Sequence, residues 1–115
     1  MLHRFVEYTK KEAFYYRGKL LDSFEEAELR IFDYLVQNIH RYISLNELNH
    51  LFENEVQSDN FTTVVKRREV ALSSLLAKLI FIMKSTEQDI LVYRRSANDK
   101  RVKEIKLKDS FIKVK

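Results

Sequence analysis

Ile90-Leu91-Val92-Tyr93-Arg94-Arg95-Ser96-Ala97-Asn98-Asp99-Lys100-Arg101-Val102-Lys103-Glu104-Ile105-Lys106-Leu107 is the stretch whose reading decides the fold. Its arms, Ile90 to Arg95 and Arg101 to Leu107, are rich in β-branched residues, and the turn-forming Ser96-Ala97-Asn98-Asp99 joins them, so the pattern predicts a β-hairpin. The hairpin is packed with cations and belongs to a basic half. From Asn60 to Lys115 fourteen Lys and Arg stand against six acids, a net of +8, whereas from Asp22 to Asp59 nine acids stand against only Arg30 and Arg41, a net of −7. The overall charge of +4 hides this division. A basic block that combines one helix with one Arg/Lys-rich hairpin is an electrostatic footprint for a polyanion.

Working outward toward the N-terminus, a long helix is expected from about Phe61 to Met83. Val65, Leu72, Leu76, Leu79 and Met83 fall on one stripe, widened by Leu75 and Ile80, with Thr63, Lys66, Arg67, Val70 and Ser74 on the opposite side. Arg68 sits at the core-side margin, where Glu28 or Glu69 is its expected partner. Before it, the polar run Glu53 to Asn60 follows a short helix, about Leu45 to Phe52. That helix is opened by Ser44-Leu45-Asn46-Glu47, with Ile43 and Leu48 placed as a hydrophobic staple. Ser23-Phe24-Glu25-Glu26 carries the same Ser-x-x-Glu spacing and predicts a first helix running to about Asn38, with Leu29, Phe32, Leu35 and Val36 buried. Ala13 to Tyr16 and Lys19 to Leu21 flank Arg17-Gly18, where the only glycine can supply the positive φ of a tight hairpin turn. Phe111-Ile112-Lys113-Val114 is expected to add an edge strand beside that hairpin.

Composition narrows the function. The 115 residues fit one domain, 1–115, divided as a β-hairpin at 1–22, a three-helix core at 23–83 and a basic hairpin at 90–108. An apolar share of 45% supports a folded core rather than disorder. Without cysteine, disulfides, thiolate nucleophiles and Cys-ligated zinc are excluded. His3, His40 and His50 form no ligand set, so no metal is expected. One glycine cannot build a phosphate-cradling loop, no serine sits in a glycine-flanked elbow, and Glu25, Glu26 and Glu28 are accounted for by the positive end of a helix dipole. Neither a catalytic site nor a cofactor is expected. The longest apolar stretch, Leu75 to Met83, is broken by Lys78 and is too short to span a membrane, and charges interrupt Met1 to Leu21 too often for a signal peptide. The expectation is a cytoplasmic protein.

The order of strand pair, helix, short helix, longer helix and basic hairpin is the order a winged helix-turn-helix requires. The expected fold class is therefore α+β, a winged helix-turn-helix with an N-terminal β-hairpin, three helices and a C-terminal basic wing. In such a domain the third helix enters the major groove and the wing follows the backbone or a minor groove. Thr62, Thr63, Lys66, Arg67 and Ser74 are the expected DNA contacts of the helix, and Arg94, Arg95, Lys100, Arg101 and Lys103 those of the wing.

Two resemblances sharpen this. Phe14-Tyr15-Tyr16-Arg17-Gly18-Lys19-Leu20-Leu21-Asp22-Ser23-Phe24-Glu25-Glu26-Ala27-Glu28-Leu29 resembles the start of OmpR-type effector domains, and Ile43-Ser44-Leu45-Asn46-Glu47-Leu48 is similar to that family's second helix start. Arg94-Arg95-Ser96-Ala97-Asn98-Asp99-Lys100-Arg101-Val102 resembles the wing of MarR-type regulators, a likeness that implies Asp99 bracing the wing while Arg101 reaches DNA. Together they point to the superfamily more than to either family. The expected function is sequence-specific binding of double-stranded DNA in transcriptional regulation of the bacterial type. Pairing is expected as a homodimer, or with a sensor domain or partner protein outside this chain. The alternative is a winged helix used for protein interaction or oligomerisation, with RNA binding as a weaker third reading.

Overall fold

The computed structural model describes residues 6–8, 14–17, 19–55, 61–108 and 110–114. In chain order the elements are β1 (Val6–Tyr8), β2 (Phe14–Tyr16), β3 (Lys19–Leu20), α1 (Glu26–Gln37), β4 (Ile43–Ser44), α2 (Leu45–Asn49), a 3-10 turn (His50–Glu55), α3 (Phe61–Met83), a second 3-10 turn (Glu87–Asp89), β5 (Leu91–Arg95), β6 (Lys103–Leu107) and β7 (Ile112–Val114). The fold is α+β: three helices with two small sheets, ordered β3-β2-β1-β7 and β4-β6-β5.

In the first sheet β2 pairs antiparallel with both β1 and β3, and β7 lies parallel to β1, with Val6 opposite Ile112. The strand pair expected around Gly18 is thus present as β2 and β3, and Ile112–Val114 does supply an edge strand, but beside β1, which separates it from that pair. Gly18 and Ala13 lie outside the described residues; Arg17, next to Gly18, has φ 53°. Strand alternation buries Phe14 and Tyr16, and Phe14 stacks on Phe32 of α1 with ring centroids 4.0 Å apart. Phe24 and Phe111 close on the same ring, each with its centroid at 6.2 Å. Phe32 is therefore the point at which the first sheet joins the helices.

The start of α1 corrects the sequence expectation. The capping box is made by Glu25 and Glu28, not by Ser23 and Glu26, and the Glu28 carboxylate accepts the Glu25 N–H at 2.7 Å. Tertiary partners decide between two overlapping boxes. Glu28 is buried and also accepts hydrogen bonds from Lys78 Nζ at 2.7 Å and from the Ser74 hydroxyl, both on α3. Burial alone would push its carboxyl up, but Lys78, Ser74 and the Glu25 N–H outweigh it and hold the group below the ordinary carboxylate range. Ile31 joins Phe32, Leu35 and Val36 in the core, whereas Leu29 is only half-buried.

The second helix begins where expected. Ser44 Oγ accepts the Glu47 N–H at 3.0 Å, and the staple residues Ile43 and Leu48 are fully buried. Regular α-helix stops at Asn49 and tightens into the 3-10 turn; residues 56–60, the rest of the expected polar run, lie outside the described residues.

Helix α3 buries Val64, Arg68, Ala71, Leu72, Leu75, Leu76, Leu79 and Met83. Val64 replaces Val65 on the core side, and Arg68 is drawn in with it. Its hydrogen-bond partner is Asn49, with Arg68 Nε donating to Asn49 Oδ1 at 2.9 Å and joining α3 to α2, while the expected Glu69 acts on it through charge alone. Burial lowers the Arg68 pKa. The helix ends at Lys84, whose φ of 49° is left-handed, and Ser85 N–H closes back on the Ile80 carbonyl at 3.2 Å.

In the second sheet β5 and β6 pair antiparallel from Leu91 opposite Leu107 to Arg95 opposite Lys103. The C-terminal hairpin is therefore present, with its connection running from Ser96 to Val102. The two-residue strand β4 adds on the far side of β6, Ile43 opposite Ile105.

Candidate nucleic-acid interface

The hairpin leaves the core by degrees. Leu91, Ile105 and Leu107 are buried at its base, Tyr93 is 41% exposed, and Arg94, Arg95 and Lys103 are exposed toward the tip. It is anchored to the rest of the molecule through β4, which runs directly into α2, and through Tyr42 just before β4. The Arg94 guanidinium lies 3.8 Å from the Tyr42 ring centroid, and Lys106 Nζ lies 5.7 Å from it. Across the ladder, Arg94 Nε also donates to Glu104 Oε1 at 2.8 Å. Arg94 thus braces the hairpin.

The connection is held by its own polar groups. Ser96 N–H donates to the Val102 carbonyl and Val102 N–H to the Asp99 carbonyl, both at 2.9 Å. Asp99 Oδ1 accepts the Arg101 backbone N–H at 3.0 Å and its Nε at 3.2 Å, which holds the Asp99 carboxyl below its ordinary value. The Arg101 side chain is 91% exposed all the same. Among the described residues, Arg95, Lys100 and Lys103 form no ion pair.

On α3, Thr62, Thr63, Lys66, Arg67 and Val70 line one open groove along the N-terminal half of the helix. All five are exposed. The Arg67 guanidinium lies 6.0 Å from the Phe52 ring centroid, against the 3-10 turn that follows α2. Ser74 stands apart from this group, since its hydroxyl donates to Glu28 and faces α1. The structure therefore brings together four of the five expected helix residues and all five hairpin residues on their two elements, and gives Ser74 an internal role.

Three basic residues elsewhere are paired with carboxylates, while Arg17, Lys19 and Lys84 are exposed and form no ion pair among the described residues. Arg30 pairs with Glu26 at 3.2 Å, Lys78 with Glu28 at 2.7 Å, and Arg41 with Glu47, whose other oxygen accepts from Arg41 at 3.0 Å. Arg41 holds the Glu47 carboxyl low, and Glu47 in turn raises Tyr34, whose hydroxyl donates to it.

Tyr93, Tyr42 and Glu87 belong to the site and were not marked by sequence reasoning. The Tyr93 hydroxyl donates to Glu87 at 2.6 Å, and burial together with Glu87 raises its pKa. The signal for Tyr93 was strand alternation, which places it on the same face as Arg95. Among the described residues no group of His, Asp and Glu is arranged to hold a metal ion, and no helix is long and apolar enough to cross a membrane. Compared with protein families, curated proteins and solved structures, the chain matches none of them.

Proposed function

We propose that this chain is a winged helix-turn-helix domain that binds double-stranded DNA and serves transcriptional regulation, in a binding rather than a catalytic role. In this reading α3 is the recognition helix and the β5–β6 hairpin is the wing. The observation that carries it is the concentration of uncompensated charge on one hairpin: among the described residues Arg95, Lys100 and Lys103 meet no carboxylate there, while Arg30, Arg41 and Lys78 are each matched by one and the likewise unmatched Arg17, Lys19 and Lys84 lie on other elements. The groove from Thr62 to Val70 adds hydrogen-bonding side chains of the kind that reach base edges.

Binding to random-sequence duplex tests the proposal. Lys66, Arg95, Lys100, Arg101 and Lys103 are exposed, and if each neutralises one phosphate the affinity falls about 500-fold between about 50 and 200 mM salt. Salt-independent binding, or none, overturns it. One observation favours the alternative of a protein-interaction or oligomerisation module: beyond Glu69 the exposed positions of α3 are uncharged, with Val70 52% and Phe81 84% exposed and Ser73 and Ala77 exposed between them. Sedimentation that shows self-association lost in Phe81→Lys would support that role, and homodimeric binding to paired half-sites would join the two.

A further inference from the structure

The hairpin register places two cations face to face. Arg95 on β5 is the direct cross-strand partner of Lys103 on β6. Like charges in that position destabilise a ladder. Among the described residues neither meets a carboxylate. Two pairs nearer the core, on the same face, sits Tyr93. Lys103 Nζ lies 5.9 Å from its ring centroid, and the hydrogen bond to Glu87 pins the ring at its far end. Glu87, Tyr93, Arg94, Arg95 and Lys103 together line an open depression of about 550 Å³, within the size range of small-molecule sites.

An aromatic ring fixed in place beside two opposed cations matches the two halves of a nucleotide, a π-face and a phosphate. Inside a duplex the base faces are covered by their stacked neighbours. Only an unpaired or terminal base can offer a face to Tyr93. We infer that the hairpin holds an unpaired base of a nucleic acid, stacked on Tyr93, with the adjoining phosphate between Arg95 and Lys103. The inference rests on the reading of this hairpin as a nucleic-acid contact, and names the part of the ligand it takes.

Fluorescence anisotropy with three two-strand duplexes tests it: one blunt, one with a short abasic 3′ extension, and one with the same extension carrying bases, including 2-aminopurine. The two extensions have equal phosphate counts, so the difference between them reports the base alone. The expected gain from the bases is about 5- to 150-fold in affinity, with 2-aminopurine fluorescence quenched. Tyr93→Leu removes that gain, and Tyr93→Phe retains it. Equal affinity for the abasic and base-bearing extensions overturns the inference, and does so in the wild-type protein whether or not the leucine variant folds. A gain that survives in Tyr93→Leu also overturns it. Salt-dependent binding to all three duplexes without a base effect sinks this inference alone, whereas no binding to any of them sinks the DNA-binding reading with it.

Discussion

Replacing Glu28 by alanine removes an anion that serves three donors at once. Its carboxylate accepts the Glu25 N–H at 2.7 Å, Lys78 Nζ at 2.7 Å and the Ser74 hydroxyl. A helix cap contributes about 1 kcal/mol, and hydrogen bonds to a charged group about 1.5–3 kcal/mol. The Lys78 side chain is 31% exposed, so once unpaired it can turn to water, and the stranded-charge penalty is well below that of a fully buried ion. The expected loss for Glu28→Ala is therefore about 3 kcal/mol, or on the order of 10 °C in Tm. Urea unfolding of Glu28→Ala, Lys78→Ala and the double variant should give a coupling of about 1–2 kcal/mol. The pH dependence has a fixed sign. Because the folded carboxyl is held below its ordinary value, its stabilisation is present above the unfolded pKa of about 4.3 and is lost as pH falls through the folded value. The gap between wild type and Glu28→Gln should narrow below about pH 4. Additive losses in the cycle, within about 0.5 kcal/mol, would refute the reasoning.

Ser74→Ala should lower stability without changing DNA affinity, while Lys66→Ala should do the reverse and reduce the salt slope by about 1; calorimetry and anisotropy on both variants separate the roles. Phe32→Ala, at the junction of three aromatic rings, should cost about 3–5 kcal/mol in urea unfolding and loosen the first sheet first, as read by amide exchange at β1 and β2. Lys84→Gly should stabilise by about 0.5–1 kcal/mol, since a side chain in the left-handed region is unfavourable there; a lower urea midpoint would contradict the strain assigned to that position.

The parts of the fold legible in the sequence are those fixed by local chemistry. Ser44 with Glu47, framed by Ile43 and Leu48, determines where α2 starts, and alternation with a turn cluster marks the C-terminal hairpin. What was not legible depends on partners distant in the chain. Ser23-x-x-Glu26 is the better local pattern, because serine is a preferred N-cap and glutamate is not, and Lys78 and Ser74, some fifty residues on, select Glu25-x-x-Glu28 instead. Arg68 reads as a core-margin cation seeking a carboxylate, and its hydrogen bond to Asn49 depends on where the fold puts α2. Strand β4 has two residues and no propensity signal of its own, existing through its pairing with β6. For the site, basic side chains were visible as composition, but which of them are neutralised is a property of the folded surface. Ser74 and Arg94 could not be told from Lys66 and Arg95 until Glu28, Tyr42 and Glu104 were in place.

The pairing of β1 with β7 gives the domain a mechanical property. The two strands run side by side in the same direction, Val6 beside Ile112, and Val6 N–H donates to the Phe111 carbonyl at 2.7 Å. Tension applied through the chain before β1 and after β7 draws these strands along each other, so their hydrogen bonds are loaded together in shear rather than peeled one at a time. Everything between them, both hairpins and all three helices, is shielded from the load until that clamp yields. In a tethered assembly, the hairpin and α3 would keep their geometry under pulling forces that unzip an antiparallel terminal pair.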